Sequence, residues 1–251
     1  MTTSADPALR TVGLSKSFGG VHAVREVSLS VDAGEVKGVI GPNGAGKTSL
    51  VNTISGREKP SRGSVFLEGR DVTGRPPHHL SRAGLTRSYQ HSTVFAEASV
   101  EENLARAGAF AGRRAVDVDA YIELAGLDAV WDATAGSLPY GQRKMLGLVM
   151  TLRTGPSVVL LDEPAAGLES SERPRIDHMV ERCAEGGGAV LIVEHDMDLI
   201  RRLCPTILVL DSGRVLAEGE TGEVLARADV LEAYLGSAEP ATEREGSGVG
   251  D

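Results

Sequence analysis

Gly41-Pro42-Asn43-Gly44-Ala45-Gly46-Lys47-Thr48 follows the apolar residues Val39-Ile40 and precedes Ser49-Leu50-Val51. The octet fits G-x-x-x-x-G-K-[ST], with strand-like sequence in front and helix-like sequence behind, the context a phosphate-binding loop needs. Glycines let the backbone wrap closely around an anion, and successive N–H groups then point inward at it. The helix that opens near Gly46 adds the positive end of its dipole to the same spot. In such a loop Lys47 reaches the β- and γ-phosphates of a nucleoside triphosphate, and the Thr48 hydroxyl ligates Mg²⁺. Residues 41–48, with Ser49 behind them, are therefore the first candidate binding stretch, and the rest of the chain is read from what it adds there.

Composition sets the frame. The chain has 251 residues, enough for a sizeable core, and is 41% hydrophobic and 24% charged, as ordinary globular proteins are. No apolar run approaches the ~20 residues of a membrane helix, and Met1–Asp6 lacks the apolar core of a signal peptide. Cys183 and Cys204 alone make no disulfide framework and fit a reducing compartment. A net charge of −9 weighs against a nucleic-acid-binding surface.

Residues 1–8 read as a disordered lead-in. From Thr11 to Val31 the alternation is β-like, Asp32-Ala33-Gly34 is a turn, and Val36–Ile40 is the strand that feeds the loop. Lys37 interrupts this strand, which leaves open whether its first residues lie at a sheet margin. The helix after Gly46 is expected to stop at Gly56, a natural left-handed cap. Ser64–Leu67 and Val72 flank a hairpin candidate. Helical periodicity prevails between Thr86 and Pro156, through Val100, Leu104 and Ala107 and then Tyr121, Leu124, Ala125 and Leu127. The runs 158–161, 189–193 and 207–210 are continuously apolar, as strands buried on both faces of a parallel sheet are. A crossover helix is expected over Glu172–Glu185, with Pro174 tolerated in its first turn. A turn at 211–214 and one amphipathic helix near Glu223–Leu235 follow, and the polar, acidic segment after Gly236 reads as disordered.

Val158-Val159-Leu160-Leu161 runs into Asp162-Glu163. A strand parallel to the one feeding the loop delivers these acids to the same sheet edge, where ligands of open α/β folds sit. That places Asp162 to hold Mg²⁺, directly or through water, and Glu163 to polarise an attacking water.

With these residues assembled, the chain resembles the ATP-binding subunit of an ABC transporter from about Thr11 to Gly236. The resemblance implies an α/β P-loop NTPase core with a parallel sheet, an N-terminal antiparallel β subdomain and a helical subdomain. It implies one ATPase domain over residues 9–236, with the helical subdomain inserted at about 89–154, and a tail over 237–251. Ser17-Phe18-Gly19-Gly20 resembles the segment whose aromatic, here Phe18, stacks on adenine. Arg87-Ser88-Tyr89-Gln90 resembles the segment whose glutamine, here Gln90, senses Mg²⁺ and water, and the region after it contacts the membrane subunit. Val193-Glu194-His195-Asp196-Met197 resembles the switch segment, with His195 contacting the γ-phosphate.

Leu138-Pro139-Tyr140-Gly141-Gln142 stands where the family has its signature, which faces the ATP of a partner subunit. Pro139 replaces a serine whose hydroxyl and N–H would approach the γ-phosphate, and proline supplies neither. The N–H groups of Tyr140, Gly141 and Gln142 still suit an anion. Glu169 is a second departure, since that position commonly carries aspartate or asparagine.

Three details resemble the importers of branched-chain amino acids, and within them the first (livG-type) of two different ATPase subunits. These are Tyr140-Gly141-Gln142, Pro164-Ala165-Ala166-Gly167-Leu168 and Glu194-His195-Asp196-Met197. The resemblance implies ATP and Mg²⁺ as cofactors, a second ATPase subunit of different sequence, transmembrane permeases and, indirectly, an extracytoplasmic solute-binding protein. It implies a place at the cytoplasmic face of the membrane. An exporter ATPase for lipid or lipopolysaccharide would carry the same catalytic residues. A soluble ABC protein acting on DNA or ribosomes usually shows a coiled-coil insertion, two cassettes or basic patches, which this sequence lacks.

Overall fold

The computed structural model describes residues 6–88, 94–109 and 116–235. The chain opens with β1 (Leu9–Phe18), β2 (Val21–Val31), β3 (Val36–Ile40) and α1 (Lys47–Ile54). It continues through β4 (Arg62–Leu67), β5 (Arg70–Asp71), α2 (Pro77–Ala83) and β6 (Leu85–Arg87). Three helices come next, α3 (Val100–Gly108), α4 (Val118–Ala125) and α5 (Tyr140–Arg153). Strands and helices then alternate as β7 (Val158–Asp162), α6 (Arg173–Glu185), β8 (Ala189–Val193), α7 (Met197–Leu203) and β9 (Thr206–Asp211). β10 (Arg214–Glu220), α8 (Thr221–Leu225) and α9 (Ala228–Leu235) complete the described fold.

The strands form a four-stranded antiparallel sheet, β2-β1-β4-β5, and a six-stranded sheet, β10-β9-β3-β8-β7-β6. In the larger sheet only β10 runs antiparallel to its neighbour. Its runs 158–161, 189–193 and 207–210 are continuously apolar because both faces are covered. Val39, Leu160, Leu191 and Leu208 face α1 and the antiparallel sheet, while Ile40, Val159, Leu161, Val190 and Ile192 face the helices α5, α6 and α7. The side-chain period of two along each strand sorts the two cores.

Lys37 is not at a margin. It lies on β3, between β8 and β9 at the middle of the sheet, and is buried. The interior tolerates the ammonium because it is satisfied: Nζ donates to the Ser30 carbonyl (2.6 Å) and to Glu218 Oε1 (2.8 Å). The polar residue thus cross-links the two sheets. Its neighbour Gly38 packs so tightly that a Cβ there would lie 2.9 Å from Ile207 and 3.0 Å from Ile200.

Other differences from the sequence reading are local. Thr86 lies in the edge strand β6, which three residues leave too short to show a period, and α2 precedes it. The expected helix over 223–235 is two helices, α8 and α9, parted where Arg227 pairs with Asp229 (2.7 Å) and Asp229 Oδ1 accepts the Val230 N–H. Ala8 is buried and its carbonyl accepts the Glu68 N–H, so ordered chain begins before Leu9. The tail 237–251 lies outside the described residues.

The expected helical region forms. Ser99 and Glu102 make a reciprocal capping box at α3, Asp117 caps α4, and Pro139 stands at the N-cap of α5. Among the described residues no helix is long and apolar enough to cross a membrane.

The register decides where chemistry collects. Val193 pairs with both Val39 and Asp162, so the ends of β3, β7 and β8 release 41–48, Glu163 and 194–196 at one edge.

Candidate functional site

The loop after β3 takes its shape from close backbone approach. A Cβ on Gly41 (φ 152°) would lie 2.1 Å from the Leu210 carbonyl oxygen, and one on Gly46 (φ 101°) 2.2 Å from that of Ala23. Both positions combine a left-handed backbone with no space for a side chain, so only glycine serves. The Ala45 carbonyl accepts the Gly213 N–H (3.0 Å), which ties the loop to the β9–β10 turn. Asn43, Gly44 and Thr48 are exposed at its mouth. α1 has no acidic residue in its first turn and no side-chain cap, so its leading N–H groups face outward without an internal anion.

Lys47 curls back over the loop, where Nζ donates to the carbonyls of Gly41 (2.6 Å) and Pro42 (3.0 Å). Burial pushes its pKa down, and the charges of Glu163 and Asp162 oppose that shift. The loop lysine therefore lies within the field of both acids.

Asp162 ends β7, buried, and the Arg87 guanidinium binds its Oδ2 at 2.7 Å. Arg87 also donates to Asn52 Oδ1 (2.7 Å) and Ser55 Oγ (3.2 Å), which links the acid to α1. Glu163 has a positive φ of 49° and its N–H donates to the Val193 carbonyl (2.8 Å). Its Oε1 lies 3.7 Å from Nδ1 of His195, an exposed ring.

Glu194, beside that histidine, is 2% exposed. Its Oε1 accepts the Ala165 N–H (3.1 Å), and its Oε2 accepts the N–H groups of His195 (3.0 Å) and Asp196 (3.3 Å). The carboxylate thus pins the segment after Glu163 to the segment carrying His195. Asp196 caps α7, and the Leu199 N–H bond, with that of Asp198 and the nearby Arg173, holds its carboxyl below the usual range. Sequence reasoning missed Arg87 and Glu194 as parts of the site, although both stand in stretches it singled out. For Glu194 the available signal was a charged residue directly after the buried strand β8, whereas Arg87 ends the three-residue edge strand β6, which gave none.

Phe18, exposed at the end of β1, has the Lys16 ammonium 4.7 Å from its ring centre. The same β layer reaches the loop through Ala23, against which Gly46 packs. Gln90 lies outside the described residues.

Tyr140, Gly141 and Gln142 open α5, whose start also lacks a side-chain cap and a first-turn acid. Among the described residues, no hydrogen bond or ion pair joins 138–142 to 41–48. Their contacts run instead to 166–172: Tyr140 packs on Gly167, and a Cβ on Gly141 would fall 1.9 Å from Glu172 Oε1. Glu172 Oε2 in turn accepts the N–H of Glu169, an exposed residue. The structure thus brings together the loop, Asp162, Glu163 and His195, and leaves 138–142 outside that group.

Residues 24–166 match the family model described as "ABC transporter". The chain is 34% identical to the high-affinity branched-chain amino acid transport ATP-binding protein BraF of Pseudomonas aeruginosa, over 92% of this chain and 99% of that one. It is 36% identical to a probable branched-chain amino acid transport ATP-binding protein LivG of Archaeoglobus fulgidus, over 91% and 95%. Among solved structures, the ADP conformation of an ATP-binding cassette of an ABC transporter superposes with a TM-score of 0.81 at 31% identity, covering 92% of this chain and 99% of that one. A loop, acid pair and histidine on one sheet edge, together with relatives matched along nearly their whole length, give one conclusion: the chain belongs to the ABC transporter family.

Proposed function

We propose that the chain is the ATP-hydrolysing subunit of an ABC importer for branched-chain amino acids or a related small polar solute. The observation that carries this reading is the meeting of 41–48, Asp162, Glu163 and His195 at one sheet edge. The names of the relatives supply the solute class.

In this reading the N–H groups of Gly44, Gly46, Lys47 and Thr48 cradle the phosphates, and Phe18 stacks on adenine. Lys47 exchanges the Gly41 and Pro42 carbonyls for phosphate oxygens. The Thr48 hydroxyl and the Asp162 carboxylate, hard oxygen donors, suit Mg²⁺, with Gln90 as a further ligand. When bound, the ion supplies positive charge against the phosphates. Glu163 orients the attacking water and takes its proton, and His195 contacts the γ-phosphate. The N–H groups of Tyr140, Gly141 and Gln142 face the nucleotide of a second ATPase subunit, so each site is composite. A cleft of about 460 Å³ between α2–β6 and α3–α5, lined by Arg87, Phe95, Thr151 and Asp162 among others, offers the seat for a permease segment. That docking places the chain at the cytoplasmic face of the membrane.

The test is reconstitution in proteoliposomes with permeases and a solute-binding protein of the branched-chain amino acid importer class. ATP hydrolysis stimulated by leucine-loaded binding protein supports the reading, and hydrolysis indifferent to binding protein and solute overturns it. Lys47→Ala should weaken nucleotide binding by about 10- to 100-fold, the loss of charge-assisted hydrogen bonds worth roughly 1.5–3 kcal/mol. Titration with a fluorescent ATP analogue measures this. Pro139→Ser should raise turnover of the assembled transporter a few-fold by restoring a hydroxyl and an N–H. It should also stabilise α5 by about 1 kcal/mol as a better cap. Steady-state ATPase rates and thermal melts give the two readouts, and unchanged or lower turnover counts against the role given to Pro139.

A further inference from the structure

Lys144 belongs to α5, one turn beyond Tyr140, yet its side chain turns away from that helix. Nζ donates to the carbonyl of Glu163 (2.9 Å) and to that of Ala166 (2.6 Å). These carbonyls bracket the turn that leaves β7, closed on the other side by the Ala166 N–H on the Glu163 carbonyl (3.2 Å). Glu163 itself has a φ of 49°, a backbone region that non-glycine residues adopt uncommonly and keep only when their surroundings over-determine it.

Three ties do so here. The Glu163 N–H is fixed to β8 through Val193, its carbonyl is fixed to α5 through Lys144, and the following Ala165 N–H is fixed to the buried Glu194. Only the second joins the turn to another subdomain. Burial lowers the pKa of Lys144, and the fields of Glu194 and Glu163 work against that, so the ammonium sits in a pocket of opposite charge. Tyr140 reinforces the same junction by packing on Gly167.

We propose that Lys144 is a positioning residue which holds the backbone of Glu163 in its left-handed turn and ties the start of α5 to the acid of the chain's own nucleotide site. The proposal rests on the reading of Glu163 as the residue that activates water. A side chain that hangs from an untethered turn spreads over many directions, and displacement of about 1 Å at a reacting group costs up to about 10²-fold in rate. Binding of nucleotide, made by 41–48, does not depend on this tether. Lys144 therefore acts on turnover and not on affinity. An ammonium donates along several directions, whereas a guanidinium keeps the charge with a fixed fork, so arginine restores the tether in part.

The experiment uses the assembled transporter in proteoliposomes and compares Lys144→Met, Lys144→Arg and Glu163→Gln. The expected result is a fall in kcat of at least about tenfold for Lys144→Met. The dissociation constant for a fluorescent ATP analogue stays within twofold, and Lys144→Arg recovers a substantial part of kcat. In the Glu163→Gln background, Lys144→Met should cause no further loss. A parental kcat for Lys144→Met while Glu163→Gln is inactive overturns the role of Lys144 and leaves that of Glu163 standing. An active Glu163→Gln transporter overturns the underlying reading instead. Equal losses of kcat and affinity in both lysine variants reduce the residue to a structural one and also overturn the proposal. Should Lys144→Met not fold, Lys144→Gln, which keeps one donor, decides by the same split between kcat and affinity.

Discussion

Glu163→Gln should leave a transporter that binds ATP normally and hydrolyses it about 10²- to 10⁴-fold more slowly, the range that loss of a positioned general base produces. Glutamine preserves the length of the side chain and its reach toward His195, which lies 3.7 Å away in the parent, but accepts no proton at neutral pH. The amide can still orient water, so the loss falls on turnover rather than on binding. ATP should therefore accumulate on closed subunit pairs, visible as a shift to the dimeric species in size-exclusion chromatography with ATP. Phosphate release gives the rate. Near-parental hydrolysis would remove Glu163 from its role. The left-handed backbone at Glu163 makes this a demanding position, and a change confined to one heavy atom of the side chain avoids disturbing it.

Arg87→Met should be the most destabilising single change near the site, by about 3–5 kcal/mol. The side chains of Arg87 and Asp162 are 7% and 6% exposed and meet at 2.7 Å. Methionine fills much of the space but leaves the Asp162 carboxylate buried against an apolar neighbour. The two hydrogen bonds that the guanidinium donates, to Asn52 Oδ1 of α1 and to Ser55 Oγ at its C-cap, disappear as well. Urea denaturation monitored by circular dichroism should show the lower midpoint. Adding Asp162→Leu should restore most of it, since an apolar pair in place of a buried ion pair is often neutral in stability. A loss below about 1 kcal/mol in Arg87→Met would show that Asp162 is stabilised by other groups.

Much of this architecture was legible in the sequence because its determinants are local. β7, β8 and β9 carry the continuous apolar runs 158–161, 189–193 and 207–210, and such a run needs no neighbours to be read. Gly41 and Gly46 are demanded by backbone contacts with Leu210 and Ala23, and they appear at a spacing that few other structures require.

Most of what escaped depends on partners distant in sequence. Lys37 left open whether β3 begins at a sheet margin, because Ser30 and Glu218, which satisfy it, lie on other strands. β6 has three residues and exists through its pairing with β7. The split between α8 and α9 falls at the Arg227–Asp229 pair, a local contact that periodicity does not weigh. Arg87 and Glu194 were visible as charged residues, but their acceptors and donors were not. In each case a polar group reads as exposed until the fold supplies its counterpart.

The placement of Pro139 has a genetic consequence. It belongs to the segment 138–142, which among the described residues contacts 166–172 and makes no hydrogen bond or ion pair with the chain's own phosphate-binding loop, and in the proposed pairing that helix end serves the neighbouring subunit's nucleotide. A substitution at codon 139 would then be felt first at a catalytic centre encoded by another gene. Second-site suppressors of defects there should map to the partner's reading frame, and the two genes should be inherited as one unit.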